Sequence, residues 1–449
     1  MQNQTWSYLE LHKFVPSEES IHLGRKIFHD FLKACDSIND IKSIEIIPSN
    51  AEENTSPIVI EGDHIGVKLW CIPLLFKYAY NALMNENLDI QEIEKLSRCV
   101  VFCCPDCTTA WNERKNIILM NSMNDKTNLF RKELALSRLV LMQRPKSSET
   151  FAHRRWVVLQ IMRYLLKDFD DLNQYNNAGN TGNNDLSHDC SNILNFDIEA
   201  LLNLVRTEFS VCCLAGEKQK SNYNAWAHRA WVVDVLFKFA SQLYKSKEFL
   251  SCACVDTSFR IWQNIISFLS TDVNNMRFFL EKHISDISIL TAAIYVQFQW
   301  ANLIILPIIC SEKCCKFSEF SKTNISTIST VFIDSLHHNE KLLDLYDAHE
   351  ALWCHRRIIL TSFHKILETG FVFLNEKNFD SVMSKFSQES ETKFCQKFCK
   401  SLPEKVELSE YQSPQPSSSD VSTAKYYSLR HFTFVCNFLK NNLALLNNE

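Results

Sequence analysis

Along most of the chain, apolar residues recur three and four positions apart, the spacing of one face of a helix. "LFRKELALSRLVLMQ" (129–143) has this spacing, and beyond the loop "RPKSSE" a second helical run extends from about Thr150 to Lys167. Helix, short loop and helix make one hairpin. "FDIEALLNLVRTEFSVCCLA" (196–215) followed by "SNYNAWAHRAWVVDVLFKFASQLY" predicts another, and "STVFIDSLHHNEKLLDLYDAHEALWCHRRIILTSFHKILE" (329–368) another still. A first pair is read at roughly 70–120.

Polar stretches punctuate this pattern and set the expected boundaries. Residues 1–69 form an N-terminal segment that the periodicity does not assign, and 70–167 hold the first two hairpins. The Asn-rich stretch 168–195 reads as a disordered insertion. Residues 196–402 hold the third to the last hairpin. A Ser/Pro-rich linker, 403–423, containing "YQSPQPSSSDVST", precedes a final helix at 424–449.

One short constellation recurs on the predicted second helices. It is an aromatic, one residue, His or Glu, then Arg. It occurs in "CPDCTTAWNERK", "SSETFAHRRWVV", "SNYNAWAHRAWVV" and "HEALWCHRRIIL". The aromatics are Trp111, Phe151, Trp226 and Trp353, and the arginines three residues on are Arg114, Arg154, Arg229 and Arg356. Four copies make an internal repeat rather than a single active-site cluster. Residues three apart on a helix share a face. The indoles are therefore expected in the groove between paired helices, and the guanidiniums at the same seam, bonding a free carbonyl or a carboxylate. The gap between the third and fourth copies has room for one degenerate repeat, with "EKHISDISILTAAIYVQF" (281–298) as its second helix and Ala293 where the arginine would fall.

Composition narrows the function classes. Seven glycines and ten prolines in 449 residues disfavour turn-dense β architectures. No glycine-rich phosphate loop of either common form occurs. A net charge of −5 without a long basic run argues against a nucleic-acid surface. The eighteen cysteines are scattered, and the start "MQNQTWSYLELHKF" lacks the basic-then-apolar order of a signal peptide, so reduced cytosolic thiols are expected. Cys104-Pro-Asp-Cys107 has zinc-knuckle spacing but no second pair near it, and is read as structural. Residues 287–311 carry no charge and are long enough to span a bilayer. Gln297, Gln299, Asn302 and Pro307 would be costly facing lipid, so the segment is read as a core helix without a transmembrane role, a membrane-anchored helix being the alternative.

Trp-x-His-Arg-Arg after an Asn-Tyr pair resembles the α-subunit repeat of protein prenyltransferases. The resemblance covers about 100–240 and 340–365. It implies an all-α fold, a right-handed superhelical crescent (α-α superhelix) of stacked helical hairpins. It implies the α subunit of a heterodimeric, type III-like protein geranylgeranyltransferase, cytoplasmic, with geranylgeranyl diphosphate as co-substrate. Catalytic zinc and the lipid pocket would lie on a β subunit of the Rab geranylgeranyltransferase type, with no metal in this chain. Acceptors would be proteins such as trafficking SNAREs or F-box proteins, modified at a cysteine near the C-terminus. Farnesyltransferase α subunits carry Pro-Lys-Asn-Tyr-Gln before the second repeat, where this chain has Pro145, Lys146, Ser147, Ser148 and Glu149. Lys146 keeps the lysine that faces the diphosphate and is the implied catalytic residue, its alternative being a solvated loop lysine. Glu149, Asn222, Tyr223, His153 and His228 are the implied residues toward substrate or β subunit. Glu149 replaces a glutamine that reads a terminal carboxylate, so that end of an acceptor would not be read as farnesyltransferase reads it. In the third repeat Asn222 and Tyr223 are kept, while Ser221 and Asn224 replace Lys and His. The competing function is a non-catalytic helical-repeat scaffold.

Overall fold

A computed structural model describes residues 8–48, 56–85, 87–121, 123–165, 196–245, 252–309, 316–368, 379–399 and 423–446. The Asn-rich insertion and nearly all of the Ser/Pro linker lie outside the described residues. The described chain is helical with one small sheet, and it divides into two compact units. The first comprises the described residues up to 165 together with 206–228; the second comprises those of 196–205 and from 229 on.

In the first unit, the segment that the periodicity left unassigned folds as α1 (Tyr8–Lys13), α2 (Glu18–Asp36) and strands β1 (Ser43–Ile47), β2 (Ile58–Glu61) and β3 (His64–Lys68). β3 lies between the other two, parallel to β1 and antiparallel to β2. Gly62 supplies the positive φ in the β2–β3 turn. The sheet rests against α2, α3 (Cys71–Leu83) and α6 (Met123–Gln143). Its core includes Phe31 stacked on Phe102, and Val67, Phe76 and Cys99 without exposure. Between α3 and α6 come α4 (Ile90–Cys103), started by an Asp89/Glu92 capping box, and α5 (Thr108–Met120). α7 (Ser148–Leu165) packs on α6. α8 (Ile198–Lys218) and α9 (Tyr223–Lys245) follow. Gly216 is required here: a Cβ would come within 2.5 Å of the Trp226 indole.

The second unit adds α10 (Cys252–Lys282), α11 (Ile287–Ile309), α12 (Lys316–Leu345), α13 (Glu350–Glu368), α14 (Phe379–Lys385), α15 (Gln388–Gln396) and α16 (Thr423–Leu446). Among the described residues only α11 is long and apolar enough to cross a membrane. Its most apolar stretch is 72% buried within the chain, packed by α10, α12 and α13. Two of its glutamines have protein partners: the Gln297 carbonyl accepts from Ser335, and Gln299 donates to Tyr295, whose hydroxyl donates to Asp234. This is how a core helix satisfies side chains that lipid would leave unpaired.

Candidate site at the repeat junctions and the Lys146 turn

Each hairpin turn is built from its own short sequence. In "CPDC", "RPKS", "HISD" and "YDAH" the fourth residue's N–H bonds the first residue's carbonyl: Cys107 to Cys104, Ser147 to Arg144, Asp286 to His283 and His349 to Tyr346. Cys104 and Cys107 are thus the two ends of a turn. Burial pushes the Cys104 thiol up to about 12, a neutral thiol packed at the turn. Trp111 donates its indole N–H to Pro105 O, and Trp353 donates to Asp347 O, both at 2.8 Å, so these two motif tryptophans fasten the turns before their own helices.

Three residues beyond, the arginines meet carboxylates on the first helix of the following hairpin. Arg154 is fully buried and forks onto Glu208 at 2.7 and 2.8 Å. Its third nitrogen bonds Leu134 O and Ser137 Oγ on the preceding helix. Arg114 does the same with Glu133, Glu94 O and Ser97. Arg356 forks onto Glu391 at 2.7 and 2.8 Å, and Arg229 bonds Asp272. Each of the three carboxylates that take a full fork from a motif arginine also takes a histidine from the second helix of its own hairpin. His153 Nε2 donates to Glu133, His228 Nε2 to Glu208 and His431 Nε2 to Glu391, at 2.9–3.0 Å. The motif aromatic of one hairpin packs on the next hairpin's histidine: Trp111 on His153, Phe151 on His228 and Trp353 on His431. Arginine, acid and histidine therefore make one buried junction between successive hairpins.

Electrostatics follow the geometry. Burial by itself would raise the glutamates, but the arginine charge and the histidine N–H reverse this and hold Glu133 and Glu391 down at about 2. Glu208 is lowered for the same reasons. Burial lowers His153, His228 and His431 against the pull of their glutamates, so each histidine donates as a neutral ring. This corrects one expectation. His153 and His228 do not face outward; they are 1% and 0% exposed, because the charged fork in dry surroundings needs a further donor.

In the two junctions of the first unit the acid stands twenty residues before its histidine. Carried along the chain, this register finds two departures. Twenty residues after Asp272 stands Ala292, so that junction lacks its histidine. Asp272 Oδ2 is buried without a partner, and burial outweighs Arg229 to raise its carboxyl. At the next junction Ala293 occupies the arginine position and Ser335, twenty residues before His355, the acid position.

At the surface of the first unit lies the turn with Lys146. Asn222 is wholly buried; it caps α9 through the Ala225 N–H and donates its amide to Pro145 O and Ala215 O. Asn224 donates to Lys146 O at 2.9 Å. Two amides from the start of α9 thus clamp the turn, while Ser147 caps α7 and reaches Asp106 of the preceding turn. Lys146 is exposed, Glu149 is half-buried, and Tyr223 is 72% exposed. Of the residues implied to face substrate or partner, these three lie outward; Asn222 acts from beneath, as a positioning residue. Trp111, Arg114, Phe151, Arg154, Trp226, Arg229, Trp353 and Arg356 are all buried.

Comparison with known proteins meets this geometry. The protein prenyltransferase alpha subunit repeat matches residues 130–161 and 205–236, segments that each run from the junction acid through the motif arginine. Human protein prenyltransferase alpha subunit repeat-containing protein 1 is 28% identical over 356 residues, covering 78% of this chain and 80% of that protein. Form 1-B from Xenopus laevis is 29% identical over 366 residues, covering 78% and 75%. The geranylgeranyl transferase type-2 subunit alpha of Candida albicans is 23% identical over 211 residues, 42% of this chain and 55% of that one. With its hairpins, its junctions and its two matched segments, the chain carries protein prenyltransferase alpha subunit repeats and is similar over most of its length to proteins named for them.

Proposed function

We propose that this chain is the α subunit of a type III-like protein geranylgeranyltransferase, catalytic only with a β subunit of the Rab geranylgeranyltransferase type and acting in the cytoplasm. The observation that carries this reading is the clamped turn. A lysine whose backbone is fixed from two sides by Asn222 and Asn224 presents a positioned charge, whereas an ordinary loop lysine does not. Lys146 would oppose the charge that develops on geranylgeranyl diphosphate as its C1–O bond breaks. Acceptor thiolate would come from zinc held by the β subunit. Tyr223 and Glu149 would border the same edge, where Glu149 disfavours an acceptor read by its terminal carboxylate.

A scaffold reading draws on Ser148 and Glu149, which depart from the catalytic family's pattern. Reconstitution with the β subunit and single-turnover geranylgeranyl transfer separates the two. Lys146→Ala is expected to leave the heterodimer intact and slow transfer about 10²–10³-fold, with the control Lys220→Ala, at an exposed lysine of the α8–α9 turn, within a few-fold of wild type. A heterodimer that transfers nothing supports the scaffold. Failure of the two chains to associate overturns the α-subunit reading.

A further inference from the structure

The junction that has lost both charges has not closed over. Val273, Leu280 and Ile294 wall a small cavity there, beside Ala293 and Ser335, with space for about one water molecule. It is lined by polar groups lacking acceptors. His355 is 1% exposed, and its Nδ1 faces the Asn339 amide nitrogen, which is oriented by its bond to Leu352 O at 2.9 Å. An amide nitrogen only donates, so Nδ1 accepts and Nε2 carries the proton. That Nε2 is buried with no partner, as are Gln297 Nε2 and Arg277 Nε. Elsewhere the equivalent histidine N–H donates to a junction glutamate; here that carboxylate is a serine, whose hydroxyl is taken up by Gln297 and Val331 O. Buried donors left unmet are rare in folded proteins.

We propose that the vacated junction is a binding site for one small hydrogen-bond acceptor, a water molecule or a halide ion, held by His355, Gln297 and Arg277 where the missing carboxylate oxygen would lie. The acceptor would take the His355 proton and bring Gln297 and Arg277 into the same shell. It would thereby connect α10, α11 and α13 without any buried charge pair.

Crystals of the full chain, one set grown in sodium bromide and one in halide-free acetate, test this with data collected at the bromine edge. The expected result is density within hydrogen-bond distance of His355 Nε2. An anomalous peak there identifies a halide; density without one, present in both sets, identifies water. An empty cavity, or a rearranged His355 bonded to a protein acceptor, overturns the proposal. The double variant Ala293→Arg/Ser335→Glu supplies the missing pair and should remove that density and raise the melting temperature of the chain. Density persisting beside a formed Arg–Glu pair would also overturn it, because the acceptor would then not be standing in for the carboxylate.

Discussion

The junction of Arg154, Glu208 and His228 and the junction of Ala293, Ser335 and His355 occupy the same sequence register, with the Arg229–Asp272 junction between them along the chain, and they solve one burial problem in opposite ways. The first buries a full charge pair with every strong direction used: a fork, two bonds backward and a histidine. The second has neither charge. No described junction retains an arginine facing a serine, or an acid facing an alanine in the arginine position. An ion pair out of water is tolerable when complete and costly when half present. A repeat can therefore lose its junction only by losing both partners. The junction of Arg229 and Asp272 lies between these extremes: it keeps the pair, lacks the histidine, and its carboxyl is raised rather than lowered.

The sharpest test of this contrast is to halve the complete junction. Glu208→Ala leaves Arg154 buried and unpaired and is expected to cost about 3–5 kcal/mol in chemical denaturation. Trp353→Ala should cost a similar ~3–5 kcal/mol through lost packing and the lost tie to Asp347 O. If Trp353→Ala melts like wild type while partner binding fails, this tryptophan belongs to an interface and not to the core. Gly216→Ala pushes a methyl into the Trp226 indole and should cost about 1–3 kcal/mol.

Acid separates the junctions by slope. Burial, with His338 beside it, lowers His355 to about 3. A folded value below the ordinary 6.5 means that neutral His355 contributes stability above about pH 6.5, lost as pH falls toward 3. Glu133 and Glu391, held near 2, contribute stability above about pH 4.5 that is lost as pH falls toward 2. Asp272 runs the other way, since a raised carboxyl favours the fold as it protonates. His355→Gln should flatten the early part of the decline in urea midpoint between pH 7 and 3 and leave the later part. An unchanged slope would mean that His355 is not the buried neutral group described. Smallest of all, Ser335→Ala removes a hydroxyl from a junction without an ion pair, leaving the Gln297 carbonyl without its donor, and should cost about 1 kcal/mol. If it matches Glu208→Ala, the contrast between the junctions fails.

Half of each junction was legible in the sequence. The aromatic and arginine sit three apart on one helix, and that spacing alone sets them on a shared inner face. The acids were not seen, because they come from another helix at separations from the arginine of 19, 54, 43 and 35 residues. A usable signal was present in the constant distance of twenty from Glu133 to His153 and from Glu208 to His228. The N-terminal sheet was missed although the β-branched run "IVI" and the stretch "HIGVK" flank a Gly-Asp turn, since a helix-length window averages such short strands away. The outward orientation implied for His153 and His228 failed for a related reason: resemblance transfers a position, while burial depends on which neighbours close over it.

What the sequence by itself determined is the set of hairpins, the face each helix buries and the family of the repeat, because helical period and a recurring four-residue constellation are local properties. Only the tertiary structure decided where the arginines find their charge, why Asn222 and Asn224 hold the Lys146 turn, and that the alanine foreseen at 293 faces a serine and an unmet histidine. These are meetings of residues far apart in the chain, and they exist only once packing has brought their helices together and excluded water between them.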